Sequence, residues 1–281
     1  MSSIATTYEV RERERVETHA RKVRPRLRPD TPNVFVVPAY NEIDNLPRLL
    51  ADLARRPDLF PDGSRLIVVD DGSSDGTPQW LSDYRGPVPT QLVAFPANQG
   101  PGAAFRAGFD AALADCADDA NVVTLEADTT SDLDALQEML AEIDAGAGLV
   151  LASVHGGGQM LNVSYLRRFL SKCAGRAVRL LLGIDAKTVS SFFRVYRADV
   201  LREATDRYGD RLITESGFAC KAELLAKIAA LGTRIEEVPV DLDGSRRIGA
   251  SKMSIGSTLA GYWRLFRAPK LDDSAGRSSG Q

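Results

Sequence analysis

The sequence contains few cysteines and few histidines, and neither residue type occurs in a spacing typical of a chemical site. Its 281 residues include three cysteines, Cys116, Cys173 and Cys220, and two histidines. The cysteines lie far apart without a partner spacing, which argues against a disulfide framework and a cysteine zinc site. Such a chain fits a reducing compartment, and we expect a cytoplasmic location.

A long apolar run and a strong net charge are also missing. The first residues, MSSIATTYEVRERERVE, carry charges where a signal peptide needs an apolar core, and no window offers about 18 consecutive apolar residues. We therefore expect neither a secretory signal nor a membrane-spanning helix. Lys and Arg number 35 against 38 Asp and Glu, a formal charge of −3. The chain therefore has no overall positive charge that would attract nucleic acid, and we expect no nucleic-acid partner.

The remaining composition is that of a globular domain with a polar segment at each end. Hydrophobic residues make up 44% of the chain. Residues 1–30 are highly charged and poor in large apolar residues, which predicts an arm outside the core. Residues 271–281 are polar and rich in Gly and Ser, which predicts a disordered tail. One domain is expected over residues 31–270.

Within this domain, β-rich runs alternate with helical patterns. The runs predict strands at residues 34–39, 65–71, 90–95, 121–128, 148–153 and 233–240. Helical periodicity fills the intervals, at about residues 44–56, 75–84, 101–116, 131–145, 162–182 and 215–231. This alternation predicts an α/β fold, with a mostly parallel sheet and helices on both faces. Such sheets bind ligands at the carboxyl ends of their strands.

Polar residues follow the first two predicted strands. The first strand ends in Pro38, Ala39, Tyr40, Asn41 and Glu42. A plain strand-to-helix turn, with Glu42 near a helix N-terminus, would also explain this stretch. The second strand ends in Val69, Asp70 and Asp71. Adjacent carboxylates repel unless a hydroxyl, a base amide or a cation satisfies them, so this end favours a binding site.

The fourth predicted strand ends in Glu126, Ala127 and Asp128. Side chains alternate along a strand, so this acidic pair is expected on one face. Carboxylate oxygens on one face suit Mg²⁺ or Mn²⁺, which keep several waters and bridge to phosphates. Together with the other two strand ends, the pair indicates a nucleotide-diphosphate site.

Four motifs carry a resemblance to a known family. PAYNE, VVDDGSSDGT, NQGPGAAFRAG and EAD, in this order and spacing, resemble the inverting glycosyltransferases of family 2, which have the GT-A fold. The downstream half, including DLDGSRRIGASKM, is similar to polyprenyl-phosphate (dolichol-phosphate) mannosyl- and glucosyltransferases. The resemblance covers about residues 32–255.

The resemblance implies roles for the acidic strand ends. Pro38, Tyr40 and Glu42 would line the base and ribose of a nucleotide-sugar donor, and Asp71 would hold the nucleoside. Asp128 would bind the Mg²⁺ or Mn²⁺ cofactor, with Glu126 beside it at the diphosphate. The flanking members of the same site are Ala39, Val69, Asp70 and Ala127.

The resemblance also implies four basic residues at phosphate groups. Arg246 and Lys252, in an R-x-x-G-x-S-K stretch, would form a mobile loop over the leaving diphosphate, whose charge cations stabilise. Arg194 and Arg168 would hold an acceptor phosphate.

The chain departs from the family pattern at both ends of this site. Glu126 stands in place of the first Asp of the usual D-A-D, and Thr130 in place of a later Gln or His. Val154 and His155 stand where an acceptor-phosphate Arg is expected. These departures predict altered metal geometry and a modified acceptor pocket.

We therefore expect an inverting, metal-dependent glycosyltransferase that moves a sugar from a nucleotide-sugar donor to a polyprenyl phosphate. Residues 162–182 are basic and amphipathic, and residues 253–267 end in a cluster of aromatic side chains. Both patterns are typical of helices at a membrane surface, although helices packed on a protein core share them.

An alternative is a small-molecule hydroxyl acceptor, which needs a base such as Glu215 or Asp185. A nucleotidyltransferase or a nucleotide-sugar binding module would use the same cleft. The sequence leaves the oligomeric state open.

Overall fold

The computed structural model describes residues 30–154, 160–161, 176, 186–189, 191–249 and 255–267. The strands are β1 (Asn33–Ala39), β2 (Arg65–Asp70), β3 (Thr90–Ala94), β4 (Asn121–Thr124), β5 (Leu149–Ser153), β6 (Met160–Leu161), β7 (Arg194–Arg197), β8 (Ile235–Pro239) and β9 (Leu242–Asp243). The helices are α1 (Leu46–Ala54), α2 (Thr77–Asp83), α3 (Pro101–Leu113), α4 (Leu133–Asp144), α5 (Ala198–Tyr208), α6 (Cys220–Ala229) and α7 (Ile255–Arg267).

Seven strands form one sheet in the order β3-β2-β1-β4-β7-β5-β8, and β6 pairs with β9 in a second, small sheet. β1 is third in this order, lies between β2 and β4, and runs parallel to both. β7 is antiparallel to both of its neighbours, β4 and β5. The sheet is therefore mostly parallel, as the alternation of strands and helices predicts.

A continuous apolar run in β1 explains why the sheet is covered on both faces. Val34 and Val36 pack with helices α3, α5 and α6 in one cluster. Phe35 and Val37 pack with α1, α2 and α4 in the other. All four side chains are fully buried. Such runs are typical of strands between two helical layers, and β1 thereby brings the first strand end to the middle of the molecule.

Two parts of the sheet differ from the sequence-based expectation. The strand predicted over residues 121–128 ends at Thr124, so Glu126 and Asp128 lie beyond it and their shared position does not follow from strand alternation. β7 and α5 were not predicted. β7 is only four residues long, with an arginine at each end, and pairing along both edges holds it in the sheet.

Several predicted segments fall outside the described residues. These are nearly all of the N-terminal arm, all but residue 176 of the basic stretch 162–182, and the tail 271–281. The domain boundaries accordingly stay predictions. None of the helices within the described ranges is long and apolar enough to cross a membrane.

Candidate active site

The ends of β1 and β2 are joined by hydrogen bonds. The Asp71 amide donates to the Ala39 carbonyl at 2.8 Å. Beyond the strands, the Asn41 amide donates to Ser73 Oγ at 2.7 Å, and the Ser74 amide donates to Asn41 Oδ1 at 2.8 Å. Asn41 adopts a positive φ of 53° to make these bonds, a conformation that asparagine tolerates. The two polar stretches therefore form one rigid rim at the edge of the sheet.

The adjacent acids Asp70 and Asp71 are both buried, at 1% and 3% exposure. Asp71 accepts the backbone amides of Gln99 and Gly100 at 2.7 and 2.9 Å. Burial and the neighbouring Asp70 charge raise the pKa of Asp71, against these two hydrogen bonds. Asp70 Oδ2 accepts the Ser73 amide at 3.2 Å, whereas its Oδ1 is buried without a partner among the described residues. An unpaired buried acceptor suits a ligand that brings a donor.

The predicted base and ribose residues lie on this rim. Tyr40 is 37% exposed, and Pro38 and Glu42 are partly buried. Asn45 occupies the N-cap position of α1, but its side chain makes no cap hydrogen bond to that helix. Its amide nitrogen donates to Glu42 Oε2 at 2.7 Å instead. Asn45 therefore serves the site rather than the helix.

The acidic pair beyond β4 is held by neighbouring side chains. Glu126 Oε2 accepts the Ser131 hydroxyl at 2.8 Å, and its Oε1 accepts the Phe192 amide at 3.3 Å. Burial and the charge of Asp128 raise the pKa of Glu126. The N-cap of α4 is Asp132, whose side chain accepts the Asp134 amide at 3.0 Å, and not the preceding Ser131. The serine is thereby left to orient Glu126.

The donor set fits a divalent cation. Asp128 is close enough to Glu126 to oppose its ionisation, and a cation between two such carboxylates would relieve that repulsion. Oxygen ligands suit Mg²⁺ and Mn²⁺. No group of three or more His, Cys, Asp or Glu suited to a metal occurs in the described part of the chain. The carboxylates would therefore share the ion with water and donor phosphates.

A basic loop over residues 244–249 meets this acidic pair, but through a different arginine from the expected one. Arg247 forms an ion pair with Asp128, with Nε at 2.5 Å from Oδ2 and Nη2 in closer contact with the same oxygen. Arg246 turns away, and its guanidinium lies 3.8 Å from Asp52. The sequence motif points to Arg246. The only sequence signal for Arg247 is that it is a second arginine next to Arg246.

Arg194 does not line an open phosphate pocket, which corrects the sequence-based expectation. Its side chain is 2% exposed. The guanidinium donates to the carbonyls of Ser191, Lys221 and Val189 at 2.9, 3.0 and 3.1 Å, and to the Tyr196 hydroxyl at 3.4 Å. Backbone acceptors already use its donors, so Arg194 joins β7 to α6 as a structural residue.

A cleft beside Glu126 was not predicted. It lies between the ends of β4, β5 and β8 and is lined by Glu126, Thr130, Ser131, Asp132, Ala152, Val154, Thr188, Ser191, Phe193, Val240 and Asp241. None of the described lining residues is cationic. Among the expected residues, Arg168, Lys252, His155 and Asp185 lie outside the described residues.

Solved structures of other proteins have the same fold as this chain. A crystal structure of glucosyl-3-phosphoglycerate synthase from Mycobacterium tuberculosis, in complex with Mn²⁺, uridine diphosphate and phosphoglyceric acid, is 18% identical with a TM-score of 0.58. The likeness covers 86% of this chain and 80% of that one. The S. aureus protein TarS, 1–349, has a TM-score of 0.52 at 21% identity, over 74% of this chain and 58% of that one. These likenesses confirm the GT-A fold.

Curated proteins give a stronger similarity at the level of sequence. The chain is 34% identical over 246 residues to the undecaprenyl-phosphate mannosyltransferase of Micrococcus luteus, covering 83% of this chain and 96% of that protein. It is 30% identical over 237 residues to the polyprenol monophosphomannose synthase of Mycolicibacterium smegmatis, covering 83% and 84%. Residues 34–205, more than half of the chain, match the family described as glycosyl transferase family 2. With the acidic strand ends and the sheet in agreement, the chain belongs to that family and is a glycosyltransferase.

Proposed function

We propose that the protein transfers a sugar, with inversion, from a nucleotide-sugar donor to a polyprenyl phosphate, with Mg²⁺ or Mn²⁺ as cofactor. The observation that carries the proposal is the meeting of Asp128, Glu126 and the basic residue Arg247 at the carboxyl edge of the sheet. Two of the relatives above support the acceptor class by their names, undecaprenyl-phosphate mannosyltransferase and polyprenol monophosphomannose synthase.

The donor nucleoside would occupy the rim formed by the first two strand ends. Tyr40 is partly exposed on this rim, and Glu42 would offer a carboxylate oxygen to the ribose hydroxyls. The unpaired Asp70 Oδ1 would accept a donor from the base or the ribose. Asp71 holds the 99–100 backbone in place and would act mainly by fixing the wall of this pocket.

The diphosphate would lie between the carboxylate pair and the basic loop. Glu126 and Asp128 would hold the divalent ion, which when bound would draw off charge that develops on the departing diphosphate. Arg247 would stabilise the same charge from the protein side. Arg246 and Lys252 stay candidates for the closing loop, with Arg246 at its exposed surface.

A phosphate acceptor removes the need for a general base, because it is already an anion and needs only positioning. Glu215, a candidate base for a hydroxyl acceptor, is 8% exposed and ion-paired to Arg264 at 2.6 Å. Both of its oxygens already accept hydrogen bonds from that guanidinium. This pairing favours the phosphate acceptor over a small-molecule hydroxyl. Arg168, in the basic stretch 162–182, stays a candidate for holding the acceptor phosphate.

A lipid acceptor also has a consequence for the cellular location of the protein. A lipid phosphate is presented at a membrane surface, so we propose a cytoplasmic protein that binds the membrane peripherally. α7 supports this, because Leu259 and Trp263 expose 51% and 55% of their surface one helical turn apart. Arg267 stacks 3.7 Å from the Trp263 ring and adds a positive charge to this face.

The test is a transfer assay with radiolabelled nucleotide sugars, Mn²⁺ or Mg²⁺, and undecaprenyl phosphate in vesicles. We expect label in an organic-extractable, mild-acid-labile product, with release of a nucleoside diphosphate. Label that remains in the aqueous phase as a stable glycoside would contradict the lipid acceptor. Release of pyrophosphate would indicate a nucleotidyltransferase, and binding without turnover would indicate a binding module.

A further inference from the structure

The carboxylate of Asp128 is fully engaged by protein donors. Its Oδ1 accepts the Thr130 amide at 3.1 Å and the Thr130 hydroxyl at 2.6 Å. Its Oδ2 accepts two guanidinium nitrogens of Arg247. A carboxylate offers about four lone-pair positions, so a cation that binds Asp128 must displace one of these donors. Thr130 belongs to the same turn, whereas Arg247 is 119 residues away in sequence.

The backbone around Arg247 is docked without help from its side chain. The Arg246 carbonyl accepts Arg48 Nη1 at 2.9 Å and Thr129 Oγ1 at 3.2 Å. On the other side, the Ile248 amide and carbonyl both pair with the Asn45 side chain, each at 3.1 Å. The guanidinium of Arg247 can therefore leave Asp128 by a side-chain rotation while the loop stays in place.

Loss of this ion pair would separate Asp128 and Arg247 from the opposite charge that each now contacts. The Asp128 side chain is 7% exposed and that of Arg247 is 28% exposed. Breaking such a buried pair by removing one partner is unfavourable, because the other charge remains desolvated. A metal ion alone would satisfy Asp128 and leave Arg247 unpaired. A metal ion that arrives with a diphosphate would satisfy both.

We propose that Arg247 is a specificity-determining counter-ion, which competes with the divalent cation for Asp128 and so favours the metal–nucleotide complex over the free metal. This inference rests on the proposed function for its diphosphate partner. Arg247 thereby couples the cation to the donor: each binds better in the presence of the other, and the diphosphate takes over the guanidinium that the cation displaces.

The experiment measures Mn²⁺ binding to the full chain by the EPR signal of free Mn²⁺, without any acceptor. Wild type, Arg247→Ala and Arg247→Lys are compared, each alone and with UDP or GDP. We expect Arg247→Ala to raise the affinity for Mn²⁺ alone about tenfold and to reduce the gain from the nucleotide. Arg247→Lys keeps the charge and is expected to fall between the two.

Arg246→Ala is the matched control, since it removes the same charge one residue away from a side chain that does not contact Asp128. In the absence of a nucleotide, we expect its Mn²⁺ affinity to stay within about twofold of wild type. The proposed competition would be overturned if both alanine variants raised the affinity for Mn²⁺ alone by the same factor. It would also be overturned if Arg247→Ala, with an intact circular dichroism spectrum, did not raise that affinity. If Arg247→Ala fails to fold, the same comparison is made with Arg247→Lys, where unchanged affinity overturns it. Sugar transfer is measured separately, so failure of the proposed function is distinguished from failure of this inference.

Discussion

The carboxylate of Glu215 holds Arg264 of α7 through two hydrogen bonds, 2.9 Å to Nε and 2.6 Å to Nη2. Glu215 precedes α6, so this pair attaches the last described helix to the body of the domain. Gly261 lies at the same contact, where an added Cβ would come within 2.7 Å of Ala219 Cβ and 3.1 Å of the Glu215 carboxylate. The ion pair and the close approach together fix how α7 lies on the domain.

Glu215→Gln is expected to loosen α7 without unfolding the domain, because it removes the charge and one of the two charge-assisted bonds. Hydrogen exchange of residues 255–267 should rise by about threefold, while exchange in α1 stays unchanged. Glu138→Gln, at an exposed position on α4, is the control. Equal exchange in Glu215→Gln and wild type would mean that packing alone holds the helix.

Asp128→Asn is expected to lower sugar transfer by about a hundredfold or more, because it removes a charged ligand while leaving the strands intact. The measurement is kcat at saturating Mn²⁺, with thermal unfolding as the check on the fold. Asp134→Asn is the control, since the Asp134 side chain is 95% exposed and its pairing with Arg56 adds little. Full activity of Asp128→Asn would disprove the metal assignment.

Gly102→Ala is expected to destabilise the fold by about 1–3 kcal/mol, because an added Cβ would lie 1.9 Å from the Glu215 carbonyl oxygen. The same glycine donates its amide to the Ser216 carbonyl at 2.9 Å, so the two segments cannot easily separate. Urea unfolding measures the loss. Gly217→Ala, whose Cβ would meet nothing within 4 Å, should change stability by less than about 0.5 kcal/mol.

Cys220 predicts a loss of stability at alkaline pH. Burial raises the pKa of its thiol from 9.0 to about 12. Between these two values the unfolded chain releases the proton and the native chain keeps it, so the free energy of unfolding falls as pH rises. The slope attributable to this group is about 1.4 kcal/mol per pH unit. Urea unfolding at about pH 8 and about pH 10 measures how much the free energy of unfolding falls in each protein, and this fall should be larger in wild type than in Cys220→Ala. Equal falls in both proteins would contradict the prediction.

Trp263→Ser is expected to weaken binding to anionic vesicles about fivefold to tenfold, because it removes an exposed ring from the face of α7. Binding to phosphatidylglycerol vesicles by sedimentation should also fall with added salt, since charge attraction is screened. Neutral phosphatidylcholine vesicles are the control. Equal binding to both lipids, or no effect of the substitution, would contradict a membrane role for this face.

Local sequence patterns predict the parts of this fold that local forces determine. The apolar run in β1 predicts a strand buried on both faces, and the helix predicted over 44–56 is observed as α1 over Leu46–Ala54. The acidic strand ends likewise indicate which loops form the candidate site. Each of these signals is contained in fewer than about 20 consecutive residues.

Contacts between distant segments could not be predicted in this way. Asn45 occupies the N-cap position of α1, and nothing local indicates that its side chain pairs with Ile248, 203 residues away. Arg246 and Arg247 have the same charge, and only the direction of the loop decides which of them reaches Asp128. The resemblance implied that Arg194 holds a phosphate. Its burial in β7 depends on pairing with two other strands, β4 and β5, which the local sequence does not show. Long-range geometry, rather than residue type, therefore assigns these roles.

The position of β7 between β4 and β5 has a consequence for the order in which the protein folds during synthesis. Thr124 in β4 meets Arg194 in β7, 70 residues later in the chain. Until those residues leave the ribosome, β4 keeps one edge without a partner, and β5 has no strand to join it to the first half of the sheet. An open strand edge is a template for aggregation, so the nascent chain is most vulnerable while residues 125–193 are being made.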